Sequence, residues 1–153
     1  MNVRTSTRFR RERTAVPPAR AFVRHALRSG GAPLDVIDRV ELAVAEACNN
    51  AILHSGSTVF TVRVVVDGDR VVVAVADDGA GFDPPRNPTM PAPDAIGHRG
   101  LALMRALVDD VDVSSTAVGT TVVLTEPFAR RARGAEPQRV GAADGSQAGR
   151  SAS

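Results

Sequence analysis

The sequence predicts an α+β fold of two layers, a mixed, mostly antiparallel sheet with helices packed on one face. Three observations carry that prediction. Apolar residues recur at helical spacing in two early segments, valines alternate with other residues on both sides of Asp67-Gly68-Asp69, and a late helical pattern leads into two strand-like runs around Gly119. The resulting order is two helices, two strands, a long loop, one helix and two strands. It suits helices gathered on one side of a sheet with hairpin connections.

In the first helix Ala19, Phe22, Val23, Ala26 and Leu27 share one stripe, with Pro17-Pro18 at its start and Gly30-Gly31 at its stop. A second helix is predicted over 35–54, where Ile37, Val40, Val44, Ala47 and Ala51 step by three and four and Asp35 and Asp38 supply an N-terminal signal. Phe60, Val62, Val64 and Val66 make 58–66 a half-buried strand, which Asp67-Gly68-Asp69 turns into a second over 70–77. Between Phe82 and Gly100 five prolines and no apolar period predict a long loop of the kind that serves as a lid. Leu101, Met104, Leu107 and Val108 predict a short helix, and strands over 111–114 and 120–125 follow.

One domain is expected over 14–128, preceded by a flexible basic N-terminus, 1–13, and followed by a disordered tail, 129–153, too poor in apolar residues to offset the entropy of ordering. No apolar run approaches the roughly 18 residues of a membrane span, and the Arg-rich start lacks the apolar stretch of a secretory signal. The expected location is the cytoplasm. Cys48 is the lone cysteine, which excludes an internal disulfide and a cysteine metal cluster. All nineteen basic residues are arginine, so no lysine is present to clamp phosphate. The net charge of +2 divides into +4 over 1–13, −5 over 14–128 and +3 over 129–153. Basicity confined to the ends, with no Trp or Tyr, argues against direct nucleic-acid binding.

Glu46, Asn50 and His54 are four residues apart and wind along one side of the second helix. A carboxylate can take a proton, and a carboxamide oxygen suits Mg²⁺, which draws its other ligands from phosphate and water. The plainer alternatives are a solvated helix surface for Glu46 and a partner of the helix dipole for His54. Asp77 ends the valine-rich strand, where its carboxylate can accept a hydrogen bond from an exocyclic amine such as adenine N6, or can simply open an Asp-Gly turn. Gly79 and Gly81 give the backbone freedom to hinge. Gly97-His98-Arg99-Gly100-Leu101 leads into the short helix, whose first N–H groups favour anions. Arg99 either adds charge there or sits in solvent. Thr120 follows Gly119, and its hydroxyl either reaches the base pocket, sharing a water with Asp77, or belongs to an ordinary strand residue. Taken together, these groups are what Mg-ATP requires.

In this order the motifs resemble the GHKL, or Bergerat-type, ATP-binding superfamily of gyrase, heat-shock chaperone, histidine kinase and mismatch-repair ATPases. Within it, "ELAVAEACNNAILH", "DDGAGF" and "GTTVVLT" are similar to the small anti-sigma-factor serine/threonine protein kinases, over roughly residues 15–128. The resemblance implies a sandwich holding ATP and Mg²⁺ between the second helix, the lid and the sheet. It implies Glu46 as general base, Asn50 as magnesium ligand, Asp77 as adenine contact, Gly79 and Gly81 as hinge, Gly100 in the phosphate loop and Thr120 at the base. His98 stands where the family carries its first phosphate-loop glycine. The implied activity is phosphorylation of a serine on an anti-sigma antagonist, alternating with sequestration of a sigma factor, whose contacts fall on the first helix around Arg20 and Arg24. A homodimer formed through the sheet is expected. The alternative is a nucleotide-dependent module that regulates a sigma factor without kinase turnover.

Overall fold

The computed structural model describes residues 2–54, 58–77, 98–116 and 119–129. Strand β1 (Val3–Arg10) leads through a short 3-10 turn (Arg13–Ala15) into helices α1 (Val16–Ser29) and α2 (Leu34–His54). Strands β2 (Val59–Asp67) and β3 (Arg70–Asp77), helix α3 (His98–Leu107) and strands β4 (Asp110–Thr116) and β5 (Gly119–Pro127) follow. The sheet runs β1-β2-β3-β5-β4, and the expected antiparallel character holds at every described pairing.

Strand β1 corrects the expectation of a flexible N-terminus over 1–13. Val3, Thr5, Thr7 and Phe9 alternate with exposed arginines and Ser6, and the strand pairs with β2 in register from Val3↔Val66 to Arg10↔Val59. Phe9 fixes it to the core, stacking on Phe60 with centroids 5.7 Å apart and meeting Phe22 edge-on at 6.3 Å. Aromatic pairs at these separations contribute beyond the area they bury. Arg4, Arg8 and Arg10 therefore lie on the folded surface, and the basic charge of the N-terminus belongs to the sheet.

One sheet face carries the core. Val62, Val64, Val66, Val71, Val73, Val75, Val122 and Leu124 are buried, together with Ala19, Val23 and Leu27 from α1 and Ile37, Val40, Val44, Ala47 and Cys48 from α2. At period 2 each strand turns these residues to the helices and its alternate residues to the open face. Gly30 lets the end of α1 press onto β2, since a Cβ there would stand 2.7 Å from Val66 Cβ. Glu41 of α2, buried to 5% exposure, pairs with Arg20 at 3.2 Å and with Arg24, which also reaches Asp38 at 2.8 Å. Arg20 and Arg24 thus hold α1 on α2. Among the described residues no helix is long and apolar enough to cross a membrane.

Candidate nucleotide site

The second half of α2 lies over the ends of β3 and β5 and leaves a cleft lined by Ala47, Asn50, Ala51, His54, Val75, Asp77, Thr120 and Val122. Its walls have two kinds of chemistry. The two alanines and two valines form a narrow apolar slot, because small side chains at 47 and 51 leave space between α2 and the strands. Asn50, His54, Asp77 and Thr120 give it polar ends. A flat aromatic ligand with edge donors suits this combination of an apolar body and a few placed polar groups.

Asp77 is buried, 7% exposed, at the last position of β3. Its Oδ2 accepts the Thr120 backbone N–H at 3.3 Å. The threonine hydroxyl instead shares a 3.0 Å bond with Ser115 Oγ. The expected meeting of Thr120 with Asp77 therefore occurs through the main chain, with the side chain held by β4. Gly119 makes it possible. At φ +141° its backbone favours glycine, and a Cβ would come within 2.5 Å of Asp77 Oδ1 and overlap the Asp77 carbonyl.

At the other end of the cleft, the first turn of α3 meets α2. A Cβ on Gly100 would lie 3.3 Å from Glu46 Oε1, 3.5 Å from Asn50 Nδ2 and 3.7 Å from Asn50 Oδ1, so the glycine backbone rests directly over that pair. Helix α3 begins at His98, three residues before the predicted Leu101. The N–H groups of Arg99 and Gly100 thus fall in its first turn, where the backbone lacks intrahelical acceptors and favours anions. Arg99 is exposed and Gly100 half-buried, whereas the Leu101 side chain is buried in the core and seats the helix. Asn50 Nδ2 is buried without a hydrogen-bond partner among the described residues. An amide carrying such an unmet group beside a carboxylate and a helix start fits a ligand-binding role.

The far end of α2 is held in place by Arg11, whose Nη1 donates to the Ile52 carbonyl at 2.7 Å. A cation on the last carbonyls of a helix completes its unpaired acceptors. Burial pushes the Cys48 thiol up to about 12, so the cysteine is an inert packing group on the core side of the same helix turn. Gly79, Gly81, the expected Phe82–Gly100 lid up to residue 97, and the expected tail beyond Ala129 lie outside the described residues, while 98–100, expected in the lid, are helical.

The structure brings together Glu46, Asn50 and Gly100 at one end and Asp77 and Thr120 at the other. The sequence pattern places Ala47 and Ala51 only in the apolar stripe of the second helix, leaves Val75 and Val122 as unnamed strand residues, and does not single out Gly119. Its position directly before Thr120, at the head of a strand, was the available signal.

Comparison with known proteins agrees with this geometry. Residues 9–126 match the family described as "Histidine kinase-like ATPase domain". The Bacillus velezensis serine-protein kinase RsbW is 35% identical over 109 residues, which cover 63% of this chain and 68% of that protein. The anti-sigma F factor of Clostridium acetobutylicum is 29% identical over 106 residues, 63% of this chain and 73% of that one. In fold, the chain is similar to a crystal structure of the RsbU and RsbW domains of a Mycobacterium tuberculosis protein, with a TM-score of 0.64 and 24% identity over 85% of this chain and 33% of that one. The shared family, reached from both the cleft and the sequence, is the histidine kinase-like ATPase domain family, and this chain belongs to it.

Proposed function

We propose that this chain is a cytoplasmic, ATP-dependent protein serine/threonine kinase and anti-sigma factor, which phosphorylates a serine of an anti-sigma antagonist and sequesters a sigma factor. One observation carries the reading: Asn50 lines the same cleft as Asp77 and Thr120, which suit a base, and also lies with Glu46 against Gly100 at a helix start, which suits phosphates. The relatives named as a serine-protein kinase and an anti-sigma factor support it.

In this reading the adenine enters the apolar slot and donates its exocyclic amine to Asp77, which guanine cannot satisfy at that edge. Gly79 and Gly81 hinge the segment that follows Asp77. The α3 first turn, with Arg99, receives the phosphates. Asn50 is the residue that would hold Mg²⁺, which when bound neutralises phosphate charge. A single carboxamide suffices because phosphate and water complete the shell. Glu46 accepts the proton of the serine hydroxyl as its oxygen bonds to the γ-phosphorus. The bond from that phosphorus to the β–γ bridging oxygen breaks, and ADP leaves.

The chain also pairs with a second copy through the open sheet face. One row across the sheet reads Arg4, Val65, Val72, Thr125, Asp110, and the next reads Ser6, Arg63, Ala74, Val123, Asp112. Each runs from an arginine on β1 or β2 over small, mostly apolar residues to an aspartate on β4. Two copies related by a two-fold axis along the strands would set these arginines toward the other copy's aspartates.

Incubating the chain with γ-labelled ATP and its cognate antagonist tests the activity. Label on an antagonist serine, with ATP bound in preference to GTP, is the expected result. Nucleotide binding and sigma-factor capture without any transfer would reduce the chain to a regulatory module.

A further inference from the structure

A second polar cluster lies at the opposite end of α3 from the phosphates. Arg39 of α2 donates through Nη1 to Glu126 Oε2 on β5 at 2.6 Å and to the carbonyl of Leu107, the last residue of α3, at 3.2 Å. Glu126 is 8% exposed, and its Oε1 accepts the Asp109 N–H at 2.7 Å, in the link from α3 to β4. Asp35 supports the guanidinium from one turn back at 3.5 Å. The cluster therefore grips α2, the α3 terminus, the β4 lead-in and β5 at a single point.

The geometry gives this grip a reach into the site. Helix α3 has ten residues, about 15 Å of rigid rod. One end is tied at Leu107 to Arg39, and the other places Gly100 over Glu46 and Asn50, seven and eleven residues further along α2. Leu101 and Met104 bury apolar side chains between the two ends, but apolar contact is non-directional and tolerates sliding along the rod. The directional bonds at Leu107 and Asp109 do not.

Resting on the kinase reading above, we propose that Arg39 and Glu126 are positioning residues for the triphosphate: their latch fixes how far α3 lies along α2, and so holds its first turn at phosphate distance from Glu46 and Asn50. Neither side chain is among the residues that line the cleft, so their effect passes through α3. The base end at Asp77 and Thr120 lies further off, since Thr120 stands about 20 Å along β5 from Glu126 by strand rise, whereas Gly100 stands about 10 Å along α3 from Leu107.

The test compares ATP with adenosine, which has the base but no phosphate, by calorimetry on the wild-type chain and on Arg39→Met. The latch predicts an ATP affinity about tenfold weaker, adenosine affinity within about twofold of wild type, and a raised KM for ATP with kcat at saturation retained. Arg39→Lys, which keeps the cation without the planar fork, should fall between the two and decides the matter if Arg39→Met does not fold. Equal losses for ATP and adenosine would overturn the proposal in favour of a merely structural pair, as would unchanged ATP binding. Failure of the wild-type chain to bind ATP would instead remove the nucleotide reading itself.

Discussion

At the Arg39 end of the α2–α3 pair both oxygens of Glu126 are engaged, one by a guanidinium and one by a backbone N–H. At the Gly100 end the same two helices bury Asn50 Nδ2 without a partner among the described residues, next to the Glu46 carboxylate and under a helix start. The two ends share helices, core and solvent, yet one satisfies its polar groups internally and the other keeps them available. Buried polar groups are normally paired because an unmet one costs about 1–3 kcal/mol. A chain that tolerates that cost at one end, while meeting it fully about 15 Å away, fits the proposal that a ligand completes the bonding at the open end.

The strongest way to break the comparison is at Glu46. Glu46→Gln keeps the size and a hydrogen-bonding carbonyl but removes the base, so phosphoryl transfer should fall by about 100- to 10,000-fold, with ATP affinity by calorimetry little changed. Transfer at the wild-type rate would show that the carboxylate is not the base.

Next in size is Gly119→Ala. Its methyl would have to occupy space held by the Asp77 carbonyl at a backbone conformation that favours glycine. We expect a loss of roughly 2–3 kcal/mol in denaturant unfolding, in the range for strain at a special backbone position, together with loss of the preference for ATP over GTP. Retained preference would place base selection elsewhere than Asp77.

A matched pair of apolar replacements sharpens the contrast further. Glu126→Leu leaves Arg39 and the Asp109 N–H without their acceptor and should destabilise by about 2 kcal/mol. Asn50→Leu removes the unmet amide and should stabilise by about 1.5 kcal/mol while abolishing Mg-dependent ATP binding. Urea unfolding of both variants reads the signs, and the same sign for both would dissolve the distinction between the ends.

Much of this was legible in the sequence, and the limits are physical. Periodicity placed α1, α2, β2 and β3 because apolar spacing reports which side of an element is buried. The spacing of Glu46 and Asn50 put both on one helix side, and the position of Asp77 at a strand end put it beside a loop. Strand β1 was obscured because its arginines read as a charged tail, although Val3, Thr5, Thr7 and Phe9 already carry the two-residue period. The Arg39–Glu126 pair spans 87 residues, and no local pattern says which distant carboxylate an arginine will meet. The slot-forming role of Ala47, Ala51, Val75 and Val122 was likewise hidden, since a cleft wall and a core obey the same pattern until the opposing surface is known.

Alkali separates the two ends with the smallest expected effect. The hydrogen bond from Arg39 to Glu126 leads the causes that raise the guanidinium pKa above its ordinary value, so the latch keeps its charge throughout moderate alkali. Cys48, on the core side of the Glu46–Asn50 turn, behaves differently. Its thiol is held neutral to about 12 in the folded chain against 9.0 ordinarily. Above the lower value the unfolded chain loses this proton while the folded chain keeps it, so the unfolded state binds fewer protons and stability declines as pH rises between the two. At pH 10, one unit into that window, the decline amounts to about 1.4 kcal/mol. With no Lys and no Tyr in the chain, no other side-chain type ordinarily titrates there. Urea unfolding at pH 8 and pH 10 should show the loss in the wild type and not in Cys48→Ala, whereas Arg39→Met should lose as much as the wild type. A wild-type stability that stays level across this interval would mean that the thiol meets water in the folded chain, and that the helix turn bearing Glu46 and Asn50 opens more readily than its packing implies.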